Sequence, residues 1–161
     1  MTANSPLQKP ADRPADRSTE RPVVLLVDDN DQNLELLEAY LEDLACEVRT
    51  AHDGIEALEA VAKSPPDMIL LDVMMPRMSG FQACKRLKSD PATRDIPIVI
   101  VTALSEVSDV EHAVDVGADD FLSKPVNRIE LVTRVRSLLK LSEAKRELRR
   151  AMQEIERLKK T

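Results

Sequence analysis

Residues 67–76 read Asp-Met-Ile-Leu-Leu-Asp-Val-Met-Met-Pro, and the run Met68–Leu71 ending in Asp72 decides the fold. It is too short for a helix and has no polar face, and Pro65-Pro66 and Pro76 bound it. Such a run predicts a strand buried on both sides, as in a parallel sheet covered by helices. Its acidic end would then lie at the edge where open parallel sheets form their ligand crevices.

The same pattern recurs on either side. Val23–Val27 ends in Asp28-Asp29, Ile98–Val101 runs into Thr102-Ala103, and Asp120–Ser123 runs into Lys124-Pro125. A shorter strand is predicted around Glu47–Thr50. Helical periodicity fills the intervals, beginning with Leu34, Leu37, Tyr40, Leu41 and Leu44. A helix over 54–63 follows the cap Asp53, another spans 79–89, and a third spans 108–116 with Gly117 as its left-handed end. Asn127 caps the last helix, with Glu130 in the capping-box position.

Five strands alternating with five helices predict an α/β protein with a doubly wound, five-stranded parallel sheet. Strand order does not follow from the sequence alone, but 2-1-3-4-5 is the common solution at this size. In that order the ends of strands 1, 3, 4 and 5 would gather three carboxylates, a hydroxyl and an ammonium in one cleft.

Composition narrows the class. A chain of 161 residues suggests one domain with extensions. Tyr40, Phe81 and Phe121 are its only aromatic residues, so the core must be aliphatic. No apolar stretch has the length of a bilayer span, and the N-terminus has no signal-peptide core. Cys46 and Cys84 lack ligand spacing and sit in helical patterns, which predicts reduced thiols in a cytoplasmic protein. The net charge is −6, and its acids are concentrated in 23–141 while both ends are mildly basic. That balance argues against nucleic acid as a partner.

Three carboxylates in one cleft repel, and a divalent cation resolves the conflict. With oxygen donors and neither His nor Cys at the strand ends, Mg²⁺ fits better than zinc. A carboxylate can attack phosphorus to give an aspartyl phosphate. Phosphoryl transfer then asks mainly for placement and for neutralising charge. Asp72, ending the central strand, is the candidate nucleophile, Asp28 and Asp29 are candidate cation holders, and Thr102 and Lys124 are candidate partners of the phosphoryl oxygens. Taken singly, each has a bland explanation as a cap, turn or surface residue. Four such positions at adjacent strand ends are hard to explain that way.

Residues 23–141 resemble the response-regulator receiver family along the whole domain. The resemblance rests on Val-Asp-Asp at 27–29, Asp72 followed by Met75-Pro76 and Gly80, Thr102-Ala103, and Lys124-Pro125. The spacings of 30 residues from Asp72 to Thr102 and 52 to Lys124 agree as well. The resemblance implies a flavodoxin-like fold with Asp72 as phosphoacceptor. It also implies Mg²⁺ held by Asp29, Asp72 and the Met74 backbone carbonyl, with Asp28 acting through water. Lys124 would pair with the phosphoryl group through a cis Lys-Pro segment, Thr102 would move toward it, and Phe121 would swing inward. Packing alone would also account for Phe121. Met74 and Leu104 hold the positions thought to tune phosphate lifetime, and both are apolar, which predicts slow hydrolysis. His52 and His112 read as ordinary surface residues, and Met74, Met75 and Met78 as loop packing.

The implied function is a signalling switch rather than an enzyme, phosphorylated by a sensor histidine kinase or phosphotransfer protein and acting on a downstream protein. The alternative is the regulatory front end of a larger enzyme, such as a cyclic-dinucleotide cyclase or phosphodiesterase. A haloacid-dehalogenase-like phosphatase is disfavoured, because its second Asp would fall at Met74. Residues 1–22, with four prolines and a doubled Pro-Ala-Asp-Arg, predict a disordered arm. Residues 142–161 predict a helical extension whose Leu141, Leu148 and Ile155, with Ala144, Ala151 and Leu158, form a short heptad seam. Glu143–Arg146, Glu147–Arg150, Glu154–Arg157 and Glu156–Lys160 are favourably spaced pairs. A homodimer through this helix is the expectation, without an output domain after it.

Overall fold

The structure is a computed structural model that describes residues 21–103 and 106–160. Five strands form one parallel sheet: β1 (Val23–Val27), β2 (Glu47–Ala51), β3 (Met68–Asp72), β4 (Ile98–Thr102) and β5 (Asp120–Ser123). Their order is β2-β1-β3-β4-β5. The helices α1 (Asp31–Tyr40), α2 (Gly54–Lys63), α3 (Gly80–Ser89), α4 (Val107–Asp115) and α5 (Arg128–Lys159) alternate with them. The topology is the doubly wound one expected. Most of the arm, residues 1–20, and Leu104 lie outside the described residues.

Every residue of β3 and β4 is buried, which explains their unbroken apolar text. Side chains alternate between faces along each strand. Leu25, Val27, Ile69, Leu71, Ile98 and Ile100 share one cluster with residues of α2, α3 and α4. Val24, Leu26, Met68, Leu70, Val99 and Val101 share the other with Leu34 and Leu37 of α1 and Leu131 and Val135 of α5. Each fully buried Leu or Ile contributes about 2 kcal/mol relative to exposure. The edge strand β2 is only partly covered, so its sequence admits Glu47, Arg49 and Thr50.

Helix ends are set by side chains near the strand ends. Asn30 caps α1 by accepting from the Gln32 and Asn33 N–H groups, and Asp53 caps α2 by accepting from Glu56. Ser79 and Gln82 form a reciprocal capping box at α3. At α5 Asn127 accepts from the Glu130 N–H, while the Glu130 carboxylate lies 3.9 Å from Arg134. Gly117 follows α4 with φ 86°, the left-handed position expected of it. Leu44 falls beyond α1, in the turn after it, yet still packs on the core.

No helix break separates residue 141 from 142: α5 is a single helix of 32 residues. Past that point Arg146 pairs with Asp67, just before β3, and Arg149 reaches Asp95 at 2.8 Å, before β4. Glu154–Arg157 forms as the spacing predicts. Cys84 is buried and donates to the Val116 carbonyl, and Cys46 is half-buried, both as free thiols. Burial pushes the Cys84 thiol up to about 11, which makes it unreactive at neutral pH.

Candidate functional site

Register brings the strand ends together. Val27 pairs with Leu71, so Asp28 and Asp72 each stand one residue beyond paired neighbours. Asp72 itself pairs with Val101, which puts Thr102 one step further along β4. Thr102 pairs with Ser123 and its carbonyl accepts the Lys124 N–H at 2.8 Å, fixing the exit of β5. The Lys124–Pro125 peptide is cis.

Carboxylate oxygens of Asp28, Asp29 and Asp72 all lie within 4.8 Å of one another. Asp28 and Asp72 are buried, and Asp29 is exposed at the mouth. The Lys124 ammonium sits between the two buried acids, 3.0 Å from Asp28 Oδ2 and 3.4 Å from Asp72 Oδ1. Thr102 is fully buried. Phe121 is half-buried and packs on the cluster that includes Ile98 and Ile100.

The electrostatics follow from this crowding. Burial pushes the Asp72 carboxyl up, and the Asp28 charge adds to it; Lys124 and the Val73 N–H offset only part. Burial pulls the Lys124 ammonium down, but its hydrogen bond to Asp28 and the charges of Asp72 and Asp28 outweigh that, and the net direction is up. The pocket therefore stabilises a positive charge strongly. Oxygen donors at such spacing suit a hard divalent cation, with Asp29 open to a hydrated ion.

Asn30 and Asn33 did not stand out in the sequence as site residues, yet both bind Asp28. The Asn30 N–H donates to Oδ1 at 2.9 Å and the Asn33 amide to Oδ2 at 3.2 Å. An Asx residue at a helix start was the only available signal. Arg77 was likewise missed, whereas His52 is the surface residue expected. His52 bridges Asp31 at 2.9 Å and Glu56 at 3.3 Å. Arg77 makes a double hydrogen bond to Asp53. His112 stacks on Phe81, centroids 4.0 Å apart. Met74 is 67% exposed.

Fold and cleft together define a class: α/β modules that gather acids and a lysine at the carboxyl ends of a 2-1-3-4-5 sheet. The family model for the response regulator receiver domain matches residues 24–136, and the chain belongs to that family. It is a receiver of phosphorylation-dependent two-component signalling. Response regulator PleD of Caulobacter vibrioides is 49% identical over 126 residues, covering 78% of this chain and 28% of PleD. The DNA-binding dual master transcriptional regulator RpaA of Synechocystis is 40% identical over 119 residues, 74% of this chain and 49% of RpaA. The chain thus spans half or less of these relatives. Among solved structures, a response regulator from Chloroflexus aurantiacus superposes with TM-score 0.72 at 38% identity, over 75% of this chain and 99% of that one. The receiver domain of a signal transduction histidine kinase from Syntrophus aciditrophicus gives 0.70 at 35% identity, over 74% and 90%.

Proposed function

We propose that Asp72 is the phosphoacceptor and that residues 23–141 act as a non-enzymatic switch in the cytoplasm. The observation that carries this is the convergence of Asp28, Asp29 and Asp72 within 4.8 Å, beside Lys124. A sensor histidine kinase or phosphotransfer protein presents a phosphohistidine. An Asp72 oxygen bonds to phosphorus as the phosphorus–nitrogen bond breaks and the imidazole leaves. Asp29, Asp72 and the Met74 carbonyl would hold Mg²⁺, with Asp28 acting through water, and the bound ion would supply charge that offsets the equatorial oxygens.

Lys124 stays near the reacting oxygens, exchanging part of its contact with Asp28 for the phosphoryl group. Thr102 donates to a phosphoryl oxygen, and Phe121 moves into the space its side chain releases. The altered face built from α4, β5 and α5 then contacts a downstream protein. The acidic body and the two free thiols are consistent with a protein partner in a reducing compartment. Among the described residues no helix is long and apolar enough to cross a membrane.

The alternative is that the receiver regulates a larger chain, such as a cyclic-dinucleotide cyclase or phosphodiesterase. Its support is the 28% share of PleD that this chain covers. A second copy of the chain is the proposed partner of the exposed seam on α5, where Leu148 is 62% and Ile155 54% exposed.

The test is incubation with Mg²⁺ and acetyl phosphate or beryllofluoride, followed by intact mass and oligomer measurement. Wild type gains one adduct and Asp72→Asn gains none. An adduct on Asp72→Asn at the wild-type level overturns the assignment.

A further inference from the structure

Between Asp72 and Gly80 the chain must turn from β3 into α3, and this loop includes Met74, whose carbonyl is the proposed third cation ligand. Both ends of this loop are tied to the acceptor. The Gly80 N–H donates to the Val73 carbonyl at 3.0 Å, and a Cβ on Gly80 would stand 2.0 Å from the Asp72 carbonyl oxygen. The middle is held differently. Arg77 has φ 66°, a conformation that side-chain-bearing residues rarely adopt without being held there.

What holds it is Asp53. The Arg77 guanidinium donates from Nε at 3.0 Å and from Nη2 at 2.6 Å to Asp53 Oδ2. The other oxygen of Asp53 caps α2 through the Glu56 N–H at 2.8 Å. One nearly buried carboxylate therefore joins the loop to the start of a neighbouring helix. Beside it Met78 is buried against Gly54, where a Cβ would come within 2.9 Å of Met78 Cγ. The Met74 side chain, largely exposed, adds little packing of its own.

We infer that Arg77 is a positioning residue whose ion pair with Asp53 holds the loop in the shape the cation site requires. This rests on the magnesium assignment proposed above. Only the Asp53 side of the pair is buried; the Arg77 guanidinium is more than half exposed, where water screens the interaction and keeps its contribution to global stability small. Its effect is therefore on the loop and the ion, which separates it from a merely structural bond.

Two variants of the full chain test it. Arg77→Gly keeps the left-handed backbone without steric cost and removes the guanidinium. Asp53→Asn keeps an equally good helix cap and removes the charge. Calorimetric titration with Mg²⁺ alone should show affinity lowered about tenfold in both, the scale of lost supporting contacts at metal sites. Hydrogen exchange across residues 73–79, measured without cation, should quicken in both, with melting temperatures close to wild type. Arg77→Lys, a charge without the planar fork, should fall between.

Wild-type Mg²⁺ affinity in Arg77→Gly and Asp53→Asn overturns the inference and leaves the magnesium site standing. So does an affinity loss that only follows a matching drop in melting temperature. Wild-type protein that takes up no Mg²⁺ overturns the magnesium assignment, and this inference with it.

Discussion

At Asp72 two opposed demands meet: burial disfavours its charge, while Lys124 at 3.4 Å keeps that charge useful. Met74, two residues on, carries no group able to orient water, and neither does Leu104. The phosphoryl group on Asp72 is therefore expected to persist for minutes or longer in the isolated protein. Following the adduct by intact mass after removing the donor checks this, and a decay within seconds contradicts it. His52 supplies a pH effect of its own. Hydrogen bonds to Glu56 and then Asp31 raise its pKa above the ordinary 6.5, against slight desolvation. The stabilisation is therefore full below the ordinary value and is lost as pH rises through the raised one. His52→Ala should lower the melting temperature below about pH 6 and matter little above about pH 8. An equal loss at both pH values would rule out the charged bridge.

The elements are joined at the cleft by close approaches that tolerate little change. Gly80 packs against the Asp72 backbone so tightly that a methyl group displaces either α3 or the end of β3. Gly80→Ala is expected to cost about 3 kcal/mol, an overpacking penalty, measurable by denaturant unfolding. The α5 cap is a milder case. Asn127 accepts one N–H at 3.1 Å, so Asn127→Ala should cost about 1 kcal/mol and leave phosphorylation intact. A loss of phosphorylation in that variant would mean that the cap also positions the preceding Lys124–Pro125 segment.

Across the whole molecule, α5 runs from the cleft side of the sheet to its far side and on past it. It starts beside the Lys124–Pro125 exit of β5, shares one face of the sheet with α1, and passes the amino ends of β3 and β4 at Asp67 and Asp95. Beyond those ends Leu148, Met152, Ile155 and Leu158 are all more than half exposed. Such a stripe on an otherwise charged helix favours a second copy, though two alanines in the seam weaken it. Native mass should show a concentration-dependent dimer that Leu148→Glu with Ile155→Glu abolishes. A wild-type chain that stays monomeric at high concentration, with and without beryllofluoride, removes this part of the proposal.

Much of this molecule was legible in the text of the chain, because burial on both faces forces unbroken aliphatic strands and helices force their own period. The runs at 23–27, 68–71 and 98–101, each followed by a polar residue, named Asp28, Asp72 and Thr102 before any coordinate did. Only the tertiary structure decided what those residues meet. Strand order depends on how the crossover helices pack, not on any local pattern, and it is the order that seats Lys124 between Asp28 and Asp72. Arg77 on Asp53 and Arg146 on Asp67 carry no spacing signal, because each joins elements distant in sequence, and Asn33 on Asp28 shows in the text only as one more polar residue at a helix start. Local propensity is written in neighbours along the chain; a site is made by neighbours in space.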